Sequence, residues 1–327
     1  MPTVCPTLSI PTFTDVLDAR RRIRPYLSPT PLRNYPALDR LVGAKVWVKH
    51  ENHNPTGAFK VRGGINLVSR LSAEEREQGL YSASTGNHGQ SIAYGGHLFG
   101  AQVTVFVPQN ANPVKVQAMQ DLGAEVVHYG ADFDAAREEC ERRAELERKR
   151  YVHGGNEPHL IAGVATITLE MLEERPDLDV ILVALGGGSD ACGACIAGKT
   201  IKPKLQVIAV QSDAAPAAYR SWKERRLVQD KMESAVEGIA TRVGFELPQS
   251  ILWELLDDFV LVSEDDILHA NYHMIEKTRN LVEGAGAAPL AAALKYADRF
   301  QGKNVGLICS GGNITPAQLA TVLQAGA

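Results

Sequence analysis

Short apolar runs alternate along this chain with longer stretches whose apolar residues recur at helical spacing. The runs at 45–49, 79–83, 102–107, 125–129, 179–184, 206–210 and 305–309 read as strands. The stretches at 86–99, 113–122, 133–149, 161–174, 267–282 and 289–300 read as helices. Val180-Ile181-Leu182-Val183-Ala184 is apolar throughout, as in a strand covered on both faces. Strand and helix in turn predict parallel sheets flanked by helices, an α/β fold. Asp132 and Asp134 offer caps to the charged helix that follows them, and Gly123 stands where a helix stop belongs. No internal repeat, low-complexity tract or Pro/Ser-rich linker marks a boundary, so domains have to be inferred from the placement of motifs.

At 327 residues the chain is long for one core and typical of two. A hydrophobic share of 45% with 22% charged residues is that of an ordinary soluble globular protein. The net charge of −4 supplies no basic field for nucleic acid or an anionic membrane. No apolar run approaches the roughly 18 residues that span a bilayer. The start, Met1-Pro2-Thr3-Val4-Cys5-Pro6, has no charged region followed by an apolar stretch, so no secretory signal is expected. Cys5, Cys140, Cys192, Cys195 and Cys309 are odd in number, which predicts free thiols and a cytoplasmic location.

Four segments carry chemistry. The first is Pro55-Thr56-Gly57-Ala58-Phe59-Lys60-Val61-Arg62-Gly63-Gly64, where Lys60 lies between an aromatic ring and a glycine turn. Most lysines are solvated surface residues; burial beside Phe59 would disfavour the ammonium and free the amine to form a Schiff base. The second, Ser84-Thr85-Gly86-Asn87-His88, follows a strand and opens a helix. Helix-start amides with hydroxyl and amide side chains suit a carboxylate, although a simple cap would need only one such residue. The third, Gly186-Gly187-Gly188-Ser189-Asp190, lets the backbone approach a phosphate, and it is neither a dinucleotide fingerprint nor a P-loop. Asp190 would repel a phosphate and is expected to cap the next helix with its side chain turned away. The fourth, Cys309-Ser310-Gly311-Gly312-Asn313, puts a hydroxyl at the carboxyl end of a strand, where α/β folds bind ligands. A hydroxyl there can hydrogen-bond a neutral ring nitrogen without protonating it.

An amine, an aromatic ring, a carboxylate cradle, a phosphate loop and a hydroxyl together are what pyridoxal 5'-phosphate and an amino acid require. Over nearly the whole chain from about Arg24, these segments resemble the fold-type II pyridoxal-phosphate enzymes, in particular the serine/threonine dehydratase and serine racemase group. The resemblance includes Asn156-Glu157-Pro158-His159-Leu160-Ile161-Ala162-Gly163. It implies the tryptophan synthase β-like fold, with two open twisted mostly parallel sheets flanked by helices. It also implies that Lys60 holds the cofactor and then removes the substrate α-proton, with Phe59 against the ring and Asn87 on the ring hydroxyl. Gly186, Gly187, Gly188 and Ser189 would bind the phosphate, Ser310 would face the pyridine nitrogen, and Glu283 matches an acidic residue near the cofactor. Ser84, Thr85, Gly86, Asn87 and His88 would line the substrate carboxylate, with Asn156 at the substrate mouth. The implied reaction is β-elimination of an L-3-hydroxy amino acid to a 2-oxo acid and ammonia. Serine or threonine is the first expectation, with 3-phenylserine and 3-hydroxyaspartate kept open.

Three departures bear on this. Thr85 stands where dehydratases of the group often have alanine and racemases serine, which keeps an amino-acid racemase as an alternative. A catalytically silent amino-acid or cofactor-binding protein is the alternative from another class; an intact Lys60 and Ser310 speak against it. The glycine loop ends in Ser189-Asp190, where the family often has an apolar residue, so the neighbouring pocket can differ. Gln211 and Ala217 replace the acidic ligands of metal-dependent members, and no tight divalent-metal site is expected.

Cys192 and Cys195 have C-x-x-C spacing but read as small packing residues; His269 and His273 lack a zinc-protease setting. His50 and His53 flank the lysine segment and are candidates for touching substrate. The basic stretch 142–150 mixes in acids at helical spacing, as a solvated helix face does. The motifs place a large cofactor domain at 1–78 and 158–327 and a small substrate-carboxylate domain at 79–157, with the cofactor between them. A homodimer is expected by analogy with the family, with no nucleic-acid or membrane partner.

Overall fold

The computed structural model describes residues 8–326, so Cys5 lies outside the described residues. Ten strands follow in chain order: β1 Leu32–Asn34, β2 Lys45–His50, β3 Leu80–Ala83, β4 Val103–Val107, β5 Glu125–His128, β6 Arg150–Tyr151, β7 Val180–Ala184, β8 Gln206–Ser212, β9 Asp258–Val262 and β10 Asn304–Cys309. They form a six-stranded sheet ordered β1-β2-β10-β7-β8-β9 and a four-stranded sheet ordered β5-β4-β3-β6. Every pairing is parallel except that of β1 with β2. The chain divides into two compact units: one joins the residues up to Leu27 to Lys60–Val164, the other joins Ser28–Phe59 to the chain from Ala165 onward.

In the first unit the strand period of two sets which helices cover which face. Leu80, Val103, Val105 and Val107 join a core with Ile92 and Met119. Tyr81, Ala83 and Phe106 point the other way, against Ala136, Cys140 and Ala144 of the helix Phe133–Leu146. Asp132 caps that helix through Ala135 N–H at 2.9 Å, and Gly123 takes φ +86 after the helix Pro113–Asp121. The helix Lys60–Val68 is held by backbone-close contacts on two sides. A Cβ on Gly64 would lie 2.1 Å from Ser91 O of the helix Asn87–Phe99, and one on Gly163 would lie 2.7 Å from Arg62 O. Replacing Gly64 with alanine forces backbone apart, and the expected cost is about 3 kcal/mol, at the upper end of ordinary overpacking. A urea titration showing an unchanged midpoint would refute that close approach.

The second unit builds its core from alternate residues of β2, β7, β8 and β10, including Val46, Val48, Val180, Leu182, Ile208, Val210 and Leu307. These pack on the alanine-rich helix Gly284–Lys295. That helix was expected to begin at 289, because proline favours the first turn; it begins at Gly284 and carries Pro289 inside. The helix expected over 161–174 is two, Pro158–Val164 and Thr166–Glu174, interrupted at Ala165. The helix expected over 267–282 spans Glu264–Thr278, started by a Ser263/Asp266 capping box and stopped by Arg279 at φ 58°. Strands β1, β6 and β9 were not anticipated. Among the described residues no helix is long and apolar enough to cross a membrane.

Candidate active site

Lys60 opens its helix in the first unit, half-buried. The four residues before it belong to the second unit, where they are stitched to the turn after β10. Phe59 N–H donates to Ser310 O at 2.9 Å, Gly312 N–H to Gly57 O at 2.9 Å, and Asn313 Nδ2 to Thr56 O at 2.9 Å. Ala58 pairs with Gly311 as an antiparallel bridge. Gly57 has φ +67, and a Cβ there would meet Asn313 Oδ1 at 2.4 Å, so glycine is required at this position. The half-buried Phe59 is thereby set one hydrogen bond from Ser310, itself 5% exposed.

Glu283 is the N-cap residue of the helix Gly284–Lys295 and takes Gly311 O with its N–H at 3.1 Å. A Cβ on Gly311 would lie 2.4 Å from Glu283 Oε1, so this carboxylate rests against the turn that carries Ser310. The neighbouring Cys309 thiol is pushed well up by burial, with Glu283 and Glu51 adding to it, and stays protonated and inert.

β7 runs into the glycine loop and then the helix Ser189–Ile201. Gly188 is the N-cap residue at φ +87, a left-handed conformation open to glycine, and no side chain caps the helix. Asp190 therefore does not take the capping role expected of it; it sits inside the first turn, 3% exposed. A Cβ on Gly186 would fall 2.2 Å from Gly238 O. The loop is thus backed by the segment around Gly238 and Ile239, which sequence reasoning passed over; its one signal was a glycine in a long unassigned stretch.

In the first unit Ser84 Oγ accepts Gly86 N–H at 3.2 Å, which curls the loop into the start of the helix Asn87–Phe99. Thr85 is half-buried, and Gly86 is the N-cap residue. The His88 ring turns into the sheet, with Nε2 3.0 Å from Ser82 Oγ and 3.4 Å from Val152 O. Burial, and next the nearby Lys60 ammonium, depress the His88 pKa to about 3.

His153 was not singled out from the sequence. Its Nδ1 accepts Gly155 N–H at 2.9 Å and Asn156 N–H at 3.0 Å, folding the turn that presents the half-buried Asn156. Nδ1 is committed as an acceptor, so the neutral ring carries its proton on Nε2. Burial first, then Arg137 and Lys60, lower this pKa to about 4. His50 is fully buried, lies 2.9 Å from the Tyr35 hydroxyl, stacks on His53 and is depressed to about 4, chiefly by burial. His53 itself is exposed, 2.5 Å from Asn280 Oδ1.

These three buried imidazoles make stability depend on pH. Their folded pKa values lie below the unfolded value near 6.5, so the unfolded chain binds more protons in the window between. Stability is expected to be complete above pH 6.5 and to fall as the pH drops toward 4, by up to about 1.4 kcal/mol per unit for each ring. Melting temperatures that stayed level from pH 7 to 4.5 would contradict this.

Cys192 and Cys195 are buried free thiols, and His269 uses Nδ1 on Asp265 O within its own helix. Gln211 is fully buried; its Oε1 accepts Tyr219 N–H at 3.0 Å and its Nε2 donates to Ile239 O at 3.4 Å. Both ends of that amide serve the fold. Among the described residues no group of three or more His, Cys, Asp or Glu is placed to hold a metal ion.

An uncapped helix start behind a glycine loop, a strand-end hydroxyl and a lysine after a half-buried aromatic residue suit a phosphorylated pyridine aldehyde. Together they define a cofactor enzyme of amino-acid chemistry. The chain belongs to the pyridoxal-phosphate dependent enzymes, whose family model matches residues 23–311. Its fold is that of the fold-type II members, and its cofactor is pyridoxal 5'-phosphate. Over 316 residues it is 34% identical to an L-threonine ammonia-lyase of Thermotoga maritima, covering 96% of this chain and 79% of that one. Over 317 residues it is 32% identical to the L-threo-3-hydroxyaspartate ammonia-lyase of Saccharomyces cerevisiae, covering 96% and 97%. The solved serine racemase of Dictyostelium discoideum superposes with a TM-score of 0.88 at 31% identity, covering 94% of this chain and all of that one.

Proposed function

We propose that this protein removes water and then ammonia from an L-3-hydroxy amino acid, giving a 2-oxo acid. Its relatives named as ammonia-lyases support the reaction class. The observation that carries the reading is the strand-end turn of Ser310, whose backbone carbonyl accepts from the N–H of Phe59, the residue before Lys60. A hydroxyl has no proton to give a pyridine ring at neutral pH, which favours prompt elimination over a long-lived carbanion.

The cofactor, when bound, supplies an electron sink for negative charge at the substrate α-carbon. Gly186, Gly187, Gly188 and Ser189 would hold its phosphate, Asn87 its ring hydroxyl, and Phe59 one face of its ring. The loop of Ser84, Thr85, Gly86, Asn87 and His88 binds the substrate carboxylate and orients the α-proton. Lys60 Nζ takes that proton. The bond from the β-carbon to its hydroxyl breaks, and the α-proton and hydroxyl leave together as water. The released enamine then hydrolyses to the 2-oxo acid and ammonia. Asn156, held by His153, would touch the substrate side chain, and Glu283 would stand near the cofactor beside Ser310.

Serine and threonine are the first substrates to test, followed by both 3-hydroxyaspartate diastereomers and 3-phenylserine. Strong 2-oxo acid release from one of them by cofactor-saturated protein is the expected result; release from none would defeat the reading. The half-buried Thr85 hydroxyl supports a second reading, an amino-acid racemase, in which it returns a proton to the opposite face of the α-carbon. Chiral chromatography showing D-amino acid without oxo acid would favour it. We carry a homodimer by analogy with the family, and a cytoplasmic location on the buried free thiols Cys140, Cys192, Cys195 and Cys309.

A further inference from the structure

Glu51 is a buried acid with no part in the chemical steps above. It follows β2, opens the short 3-10 helix Glu51–His53 and is fully buried. Each carboxyl oxygen accepts a hydrogen bond: Oε1 from the Thr30 hydroxyl at 2.6 Å, Oε2 from Asn54 Nδ2 at 2.7 Å. Thr30 is anchored in its turn. Its carbonyl accepts from Lys49 Nζ at 2.7 Å, and that buried ammonium pairs with Glu170 at 2.6 Å.

Asn54 carries the link onward. Its Nδ2 also donates to Glu51 O at 2.9 Å, and its own carbonyl accepts Gly57 N–H at 2.8 Å. That last bond closes a four-residue turn with Pro55 at its second position, where proline is favoured. Gly57 O and Phe59 N–H then bond to the turn after β10, and Lys60 is the next residue. The segment leading into the lysine is therefore held twice, by β10 along its length and by Glu51 at its root. Packing alone does not call for an acid there, since buried ionic groups are often replaced by apolar residues of like volume without loss of stability. An apolar residue could not fix the Asn54 amide.

We propose that Glu51 is a positioning residue for Lys60, acting through Asn54 and the turn it closes. This rests on the reading of Lys60 as attachment point and base. Misplacing a reacting group by about 1 Å can cost on the order of 10²-fold in rate. Glu51→Ala in the holoenzyme is expected to lower kcat by about 10- to 100-fold with KM changed less than about threefold. Glu51→Gln should restore kcat to within about fivefold of wild type, because its carbonyl can accept from Asn54 Nδ2 while its amide donates to the Thr30 hydroxyl. Asn54→Ala cuts the same link, so the double variant should be no slower than the slower single variant. A kcat of Glu51→Ala within about twofold of wild type, glutamine as slow as alanine, or single losses that multiply, overturns the assignment. Asn54→Ala, which leaves the acid in place, is held to the same limits should Glu51→Ala fail to fold.

A second measurement needs no turnover. Pyridoxamine 5'-phosphate has the phosphate and the ring but cannot bond covalently to Lys60. Added to holoenzyme, it should displace the resident aldehyde from Glu51→Ala and Asn54→Ala at about tenfold lower concentration than from wild type, read as ring absorbance. Displacement at equal concentrations would show that Glu51 supports the fold alone, and overturns the assignment. The reading of Lys60 fails on a different result, turnover that survives Lys60→Ala.

Discussion

Lys60→Ala is expected to lower 2-oxo acid release by roughly four orders of magnitude or more, because in the proposed mechanism one amine serves both as the covalent attachment and as the general base. Lys60 is half-buried at the first position of its helix. Alanine is a good residue at that position. The variant should therefore melt within a few degrees of wild type while losing its grip on the cofactor, which can be read as ring absorbance left after desalting. Turnover within tenfold of wild type would overturn the mechanism. A silent binding protein makes the opposite forecast: no turnover in the wild type, and none to lose in the variant.

Gly186→Ala should strike the cofactor without touching any reacting atom. The added carbon would meet Gly238 O at 2.2 Å and Ile239 Cα at 3.1 Å, both backbone atoms that have little room to yield. Relief requires the glycine loop to move by on the order of 1 Å, and a shift of that size at a binding loop can cost about 10²-fold in rate. Cofactor content after desalting and oxo acid release should fall together, while β7 and the helix Ser189–Ile201 keep the unit folded. Full cofactor occupancy in this variant would show that the loop does not hold the phosphate. The same geometry explains why Gly238 is itself small: a Cβ on it would reach Ala285 Cβ at 2.8 Å.

The parallel sheets were legible because their strands are apolar in sequence as well as in space. Val180–Ala184 and Val103–Val107 could hardly be anything else, and their register follows once both faces are covered. β6 was not legible: Arg150 and Tyr151 make a strand only through pairing with Leu80 and Tyr81. β1 is a short antiparallel edge whose three residues gain regular structure from β2. The interruption at Ala165 was hidden as well, since a good helix former stands there. Another helix lies close at that point: a Cβ on Gly193 would fall 2.8 Å from Ala165 Cα.

The site divides in the same way. Lys60, the glycine loop and Ser310 announce themselves through glycines and strand ends. His153 does not, because its place comes from a turn hydrogen bond that no local pattern records. Asp190 shows the reverse error, a carboxylate given a surface cap by local rules and buried by its neighbours.

β2 and β10 pair in parallel from Asn304 opposite Lys45 to Cys309 opposite His50, and the residues just past each strand close the turn around Phe59 and Ser310. The paired Lys45 and Asn304 are 259 residues apart in a chain of 327. A ribosome making this protein releases Lys60 well before Ser310. Until β10 has emerged, the strand that joins β2 to β7 in the large sheet is missing and the lysine segment has no hydrogen-bonded wall. Contacts so distant in sequence also form slowly. The cofactor is consequently a ligand of the finished chain, and a nascent chain interrupted before β10 exposes the open edge of β2 in its place.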